Sequence, residues 1–297
     1  MLEPAETSYF SKPSAGLDPR LFRDGKLTSQ VRNAILQLLH NYLDSHYSGG
    51  SAWARAWLAG SGVSYQWAAH RDPGDLDCLV GVDFVKFRQS NVRFTGLSDK
   101  EIADMLNEGF RAELQPKTEL FMGSFELTFY VNIHSNIIDI KPYAAYSLTD
   151  DDWTVPPMAS DAPTNPQWEE RVNKDRSLAI DLMTRYTAAK NLFNSASNDA
   201  VKTNARSQMR IAMSQGSALY ESIHSERSNA FSPTGEGYSD FYNYRWQAGK
   251  RSGVIQFLRA LKADLEALDA EYNKRAYGSA EFPDTSTLIR RAASQHR

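Results

Sequence analysis

Residues 54–83, ARAWLAGSGVSYQWAAHRDPGDLDCLVGVD, decide the fold. The short apolar run ARAWLA leads into Gly60-Ser61-Gly62, which predicts a strand ending in a tight turn. A polar loop follows, and the apolar, β-favouring centre of DLDCLVGVD predicts a second strand. Residues two apart on a strand share a face. Asp75 and Asp77 therefore emerge side by side, while Leu76 and Cys78 point the other way, into a core. Two carboxylates on one face repel one another unless a cation sits between them. Magnesium suits such a pair, because it takes oxygen ligands and keeps coordination positions open for substrate phosphates.

Working outward, residues 1–27 are rich in Pro, Ser, Gly and charge and suggest an irregular N-terminal arm. From 29 to 47 the apolar residues Val31, Ile35, Leu38, Leu39, Tyr42 and Leu43 recur at three and four, the mark of an amphipathic helix. A second helix opens at Ser98-Asp99-Lys100-Glu101, a capping-box spacing, and buries Ile102, Met105, Leu106 and Phe110. FELTFYVNI and NIIDIKPY then suggest two antiparallel strands joined at His134-Ser135-Asn136. TVPPMASDAPTNPQ has the composition of a linker. Beyond it, helices are expected at about 168–193, 199–224 and 240–272, the last with Val254, Phe257, Leu258, Leu261, Leu265, Leu268 and Tyr272 as its seam. The expected class is α+β: an arm (1–27), a mixed-sheet domain (28–157) and a helical domain (158–297).

The chain has 297 residues and a single cysteine, Cys78, so an intrachain disulfide and a cysteine-based zinc site are excluded. This suits a reducing cytosol. The first residues lack a basic head followed by an apolar run, and no stretch reaches membrane-spanning length, so a cytoplasmic protein with no membrane partner is expected. Net charge is −3, which argues against general coating of nucleic acid. Residues 1–167 carry 14 basic against 21 acidic side chains, net −7, and residues 168–297 carry 19 against 15, net +4.

Asp139 is flanked by Ile138 and Ile140, so a strand there would bury its isoleucines and present the acid on the opposite face. Beside the first pair it would make three converging carboxylates, enough for two metal ions. Lys141 would share its face. Gly60 lets the backbone approach a phosphate closely, and the Ser61 hydroxyl can donate to its oxygens.

Gly-Ser, thirteen residues, Asp-Leu-Asp on a strand, and a later Ile-Asp-Ile resembles the signature of the polymerase-beta nucleotidyltransferase superfamily. The resemblance covers about residues 29–148 and rests on Gly60, Ser61, Asp75, Asp77 and Asp139. It implies Asp75, Asp77 and Asp139 as catalytic metal ligands, with magnesium or manganese as cofactor. Gly60 and Ser61 would hold phosphate, and the helical domain would close a nucleotide cleft. The implied reaction moves a nucleoside monophosphate from an NTP, such as ATP, to an acceptor hydroxyl and releases pyrophosphate. The acceptor stays open, an RNA or tRNA end being one option. A synthase of cyclic or linear oligonucleotide signals would use the same acids, and a non-catalytic nucleotide-binding module is the alternative of another class.

His70 and Arg71 lie in the loop that would overhang the site, either as phosphate contacts or as exposed loop. In EGYSDFYNYRWQAGKRSG the aromatics Tyr238, Phe241, Tyr242, Tyr244 and Trp246 alternate with Arg245, Lys250 and Arg251. That mixture suits either base stacking with phosphate contact or ordinary helix packing. Arg245, Lys250 and Lys190 are candidate phosphate contacts.

Overall fold

Burial alternates along residues 74–82, with Leu76, Cys78, Val80 and Val82 turned inward, as a strand's period of two requires. The strand sits in a computed structural model that describes Leu2 and residues 14–67, 73–131, 133, 137–158 and 165–277. The protein is α+β with a mixed five-stranded sheet. By its internal contacts the chain divides near residues 161 and 162 into a sheet-bearing unit and a helical unit, Leu2 belonging to the latter.

The sheet unit begins with a small ladder, β1 (Phe22–Arg23) against β2 (Lys26–Leu27), turned through Asp24 and Gly25 at positive φ. This part of the suggested arm is core: Leu21, Phe22 and Leu27 are buried, and Phe22 stacks on Trp153 at 5.3 Å. Its Pro, Ser and Gly content concealed three apolar anchors, each contributing about 1.5–3 kcal/mol when buried.

Helix α1 (Ser29–His46) buries Val31, Ile35, Leu39, Tyr42 and Leu43, the expected stripe. One turn, α2 (Gly50–Trp53), leads into β3 (Ala54–Ala59), then a 3-10 turn at Ser61–Val63 and β4 (Gly74–Val82). Asp83 ends that strand and starts a helix unforeseen from sequence, α3 (Phe84–Ser90), by accepting the Lys86 amide on its side chain. The capping box at Ser98 and Glu101 forms as expected and opens α4 (Asp99–Gly109). A π turn at Phe110–Leu114 and α5 (Gln115–Thr118) extend it toward β5 (Phe125–Val131). Two short strands, β6 (Ala145–Ser147) and β7 (Asp152–Val155), complete the sheet.

Sheet order is β5-β4-β3-β6-β7, with β4 and β5 parallel and the other pairs antiparallel. Parallel neighbours need a long crossover, here α3 to α5. One face of the sheet joins α1, α4 and the Trp53–Phe87–Phe94 aromatic group in a single apolar core. The other face carries Asp75 and Asp77.

The expected NIIDIKPY strand does not form. Residues 137–140 make a turn in which the Lys141 amide donates to the Ile138 carbonyl at 3.2 Å and Lys141 takes φ +43°. Ile137 and Ile140 are buried while Ile138 is 58% exposed, a spacing of three rather than two. The joining residues 134–136 lie outside the described residues.

The helical unit consists of α6 (Pro166–Ser195), α7 (Asp199–Ala230), α8 (Phe241–Arg251) and α9 (Val254–Tyr277). Asn165 caps α6 ahead of Pro166, and Asn198 caps α7 through the Ala200 and Val201 amides. The single helix expected at 240–272 is two, because Gly253 turns left-handed at φ +79° and stops α8. Their core gathers Leu182, Ala212, Ile223, Trp246, Ile255 and Leu258.

Helices α7 and α9 meet at Gly216, where an added Cβ would stand 2.5 Å from Leu261 Cδ1. Gly216→Ala is expected to destabilise the unit by about 1–3 kcal/mol through overpacking. Urea denaturation followed by circular dichroism checks this, and Leu261→Ala in the same chain should restore part of the loss.

Candidate active site

The candidate site is built where β3 and β4 meet the glycine turn. Their antiparallel register pairs Ala59 with Asp77, so the turn that ends β3 begins beside that acid. Gly60 has φ +90° and ψ −164°, a conformation kept for glycine. A Cβ there would lie 3.1 Å from Asp77 Oδ2. Gly62 is tighter still: its Cβ would come within 2.3 Å of the Asp75 carbonyl oxygen. The turn is anchored by the Gly60 amide, which donates to the Ala144 carbonyl at 3.2 Å. The Ser61 carbonyl accepts from the Ser64 amide and hydroxyl, at 3.1 and 3.0 Å. Gly60, Ser61, Asp75 and Asp77 thus meet at one end of the sheet.

Strain and contact make these glycines intolerant. Gly60→Ala is expected to cost about 1–3 kcal/mol from its backbone conformation alone, and Gly62→Ala must move the β4 backbone. Both should lower the melting temperature. Equal melting temperatures for wild type and both variants would show that the turn does not press on the acids.

Between the two acids' strand and β5, the parallel register sets Glu126 opposite Asp75 and Thr128 opposite Asp77. Glu126 shares the acids' face, since Phe125, Leu127 and Phe129 fill the core on the other. Sequence reasoning missed it. The strict alternation of FELTFYV was a usable signal, but the parallel pairing that makes Glu126 a neighbour is a long-range fact.

Asp139 lies on the turn at 137–140 and is exposed, and no strand carries it to the pair. Among the described residues no group of three or more His, Cys, Asp or Glu is arranged to hold a metal ion. The oxygen donors of Asp75 and Asp77 nonetheless suit a hard divalent cation, and the missing Gly60 side chain leaves a recess beside Asp77. Cys78 is fully buried, and burial, then the neighbouring Asp77 charge, push its thiol far above the usual range. It is a packing residue.

The candidate phosphate contacts of the second half lie in the helical unit. Arg245 is engaged internally: its guanidinium bridges Asp175 at 2.7 and 2.8 Å and also bonds Glu226. Lys190 is exposed on α6, its ammonium 5.6 Å from the Tyr186 ring centroid. Lys250 is half-buried in the last turn of α8. Of the aromatics nearby, Tyr238, Phe241 and Tyr242 are half-buried and the other two are core. Tyr244 is 2% exposed, donates to Glu169 and packs on Trp168, while Trp246 packs on Tyr220 and His224. His70 and Arg71 lie outside the described residues. Among the described residues no helix is long and apolar enough to cross a membrane. Comparison with protein-family models, curated proteins and solved structures finds no match for this chain.

Proposed function

We propose that the chain is a magnesium-dependent nucleotidyltransferase, with Asp75 and Asp77 as its central acids. The observation that carries this is the packing of the Gly60-Ser61-Gly62 turn against the Asp75-Leu76-Asp77 strand, with Gly60 held at the Asp77 carboxylate. A phosphate-approaching turn beside two hard oxygen donors is what an NTP site requires, and the same residues carry the resemblance to the polymerase-beta superfamily.

In the proposed reaction an acceptor oxygen bonds to the α-phosphorus of an NTP. The bond from that phosphorus to the bridging oxygen breaks, pyrophosphate leaves, and the hydroxyl proton passes to a carboxylate or to water. Magnesium, when bound, would neutralise triphosphate charge and lower the pKa of the hydroxyl. Asp75 and Asp77 would hold the ion. The Ser61 hydroxyl, which has no hydrogen-bond partner among the described residues, would donate to a phosphate oxygen. Asp139 is proposed as the third acid on the resemblance alone, and Glu126 is its rival on the sheet register.

The test is turnover. The protein is incubated with each labelled NTP and magnesium or manganese, with and without total RNA, and pyrophosphate and labelled products are measured. A labelled RNA would select a polymer acceptor, whereas a small product from NTP alone would select the oligonucleotide-signal synthase. Pyrophosphate release no greater than that of the Asp75→Ala/Asp77→Ala protein under every condition would remove the enzyme and leave a binding module.

A further inference from the structure

Residues 14–20 fasten the loop that joins the glycine turn to the acid-bearing strand. The Ser14 amide donates to the Tyr65 carbonyl at 2.8 Å, and the Ser14 hydroxyl donates to the Trp67 carbonyl at 3.4 Å. The Trp67 indole in turn donates to the Gly16 carbonyl at 2.8 Å. The side-chain bonds join residues 51 and 53 positions apart, so the grip is tertiary and no local turn supplies it. Between Tyr65 and Trp67 lies Gln66, whose amide donates to the Ser64 hydroxyl at 3.0 Å. That hydroxyl donates to the Ser61 carbonyl at 3.0 Å, which carries the connection into the glycine turn.

At the strand end the contact is Arg20. Asp18, 2% exposed, accepts Arg20 Nε at 3.0 and 3.1 Å and Nη2 at 2.7 Å. A buried carboxylate gripping a guanidinium on two nitrogens fixes its direction as well as its position. Arg20 Cζ lies 4.5 Å from the Phe125 ring centroid and 5.9 Å from that of Trp67. Phe125 pairs in register with Gly74, the residue before Asp75. A Cβ on Gly74 would stand 2.9 Å from Phe125 Cδ1 and 3.5 Å from Arg20 Nη2, so the foot of β4 is glycine where these groups pack. Arg20 therefore stands between Trp67 and the start of the acid strand.

We infer that residues 14–20 are a positioning clamp for the candidate active site, which holds Trp67 and the foot of β4 together and so sets the Ser61 hydroxyl relative to Asp75 and Asp77. Thirteen residues separate Ser61 from Asp75. Tying that connection down before a ligand arrives spares binding the cost of ordering it. Ser14, Asp18, Arg20 and Trp67 act through the turn and the acids rather than on the NTP. The effect on NTP rests on the transferase reading, whereas the effect on the loop rests on the fold alone.

Hydrogen exchange of the full-length protein compares wild type with two variants. Trp67→Phe removes the indole donor and keeps a ring, and Asp18→Asn weakens the fork while keeping an oxygen for the Arg20 amide. In both, the amides of Ser64, Gln66 and Trp67 are expected to exchange at least about tenfold faster, with those of Leu58 on β3 and Cys78 on β4 unchanged. Pyrophosphate release from magnesium-NTP should then show KM raised about tenfold and kcat within about threefold of wild type, a split that loss of folded protein does not give. Unaltered exchange at 64–67 in both variants overturns the clamp, as does faster exchange with KM unmoved. If wild type itself releases no pyrophosphate, the transferase reading fails and the exchange comparison alone decides the clamp.

Discussion

Asp75→Asn and Asp77→Asn are each expected to lower kcat/KM for pyrophosphate release by about a thousandfold, ~4 kcal/mol of transition-state stabilisation. The melting temperature of each variant is measured beside its rate. Asparagine matches aspartate in shape and removes one negative charge, so the pair of readings tests the charge of the group rather than its bulk. Loss of activity joined to unchanged or raised stability separates a functional acid from a structural one, whose removal would reduce both. Asp139→Asn is expected to match these losses. If Glu126→Gln does so instead, the third acid is the one paired in register with Asp75. A protein in which none of the four changes alters turnover has its chemistry elsewhere.

Arg245→Ala is expected to destabilise the helical unit by about 3 kcal/mol, the consequence of leaving Asp175 and Glu226 without their shared cation. Arg245 and Asp175 are only 14% and 12% exposed at their side chains, so water replaces little of what is lost. Urea denaturation followed by tryptophan fluorescence measures the change, Trp246 being buried in this unit. Replacing the network together, Arg245→Met with Asp175→Leu and Glu226→Leu, should recover much of the stability. If Arg245→Ala instead raised KM for the NTP and left the denaturation midpoint in place, the side chain would be a substrate contact after all.

What was legible in the sequence was local. The stripe of α1, the capping box at Ser98 and the alternation that puts Asp75 and Asp77 on one face all follow from spacing within a few residues. The turn at Gly60 was legible for the same reason. Where sequence reasoning went astray, a competing interaction prevailed. Ile137 to Ile140 have the composition of a strand, yet Lys141 at positive φ closes a turn and sends alternate isoleucines to different environments. Asp83 looked like a strand end and proved to be a helix cap. Gly253 sat inside a plausible helical seam, but its left-handed backbone divides it. Glu126 became a neighbour of Asp75 only through a parallel pairing that spans α3 to α5, which no window of sequence contains. The aromatics around Arg245 had the composition of a stacking surface, and tertiary packing used Tyr244 and Trp246 as core instead.

Cys78 lies on β4 between the strands that flank it, fully buried, and is the only sulfhydryl in the chain. A thiol reagent added to the native protein can therefore react at one place and only after β4 has parted from its neighbours. Its rate of modification is a clock for that opening, read without introducing a probe. Comparing the clock with and without nucleotide would reveal how firmly a ligand grips the strand that bears both acids, even when no product is made.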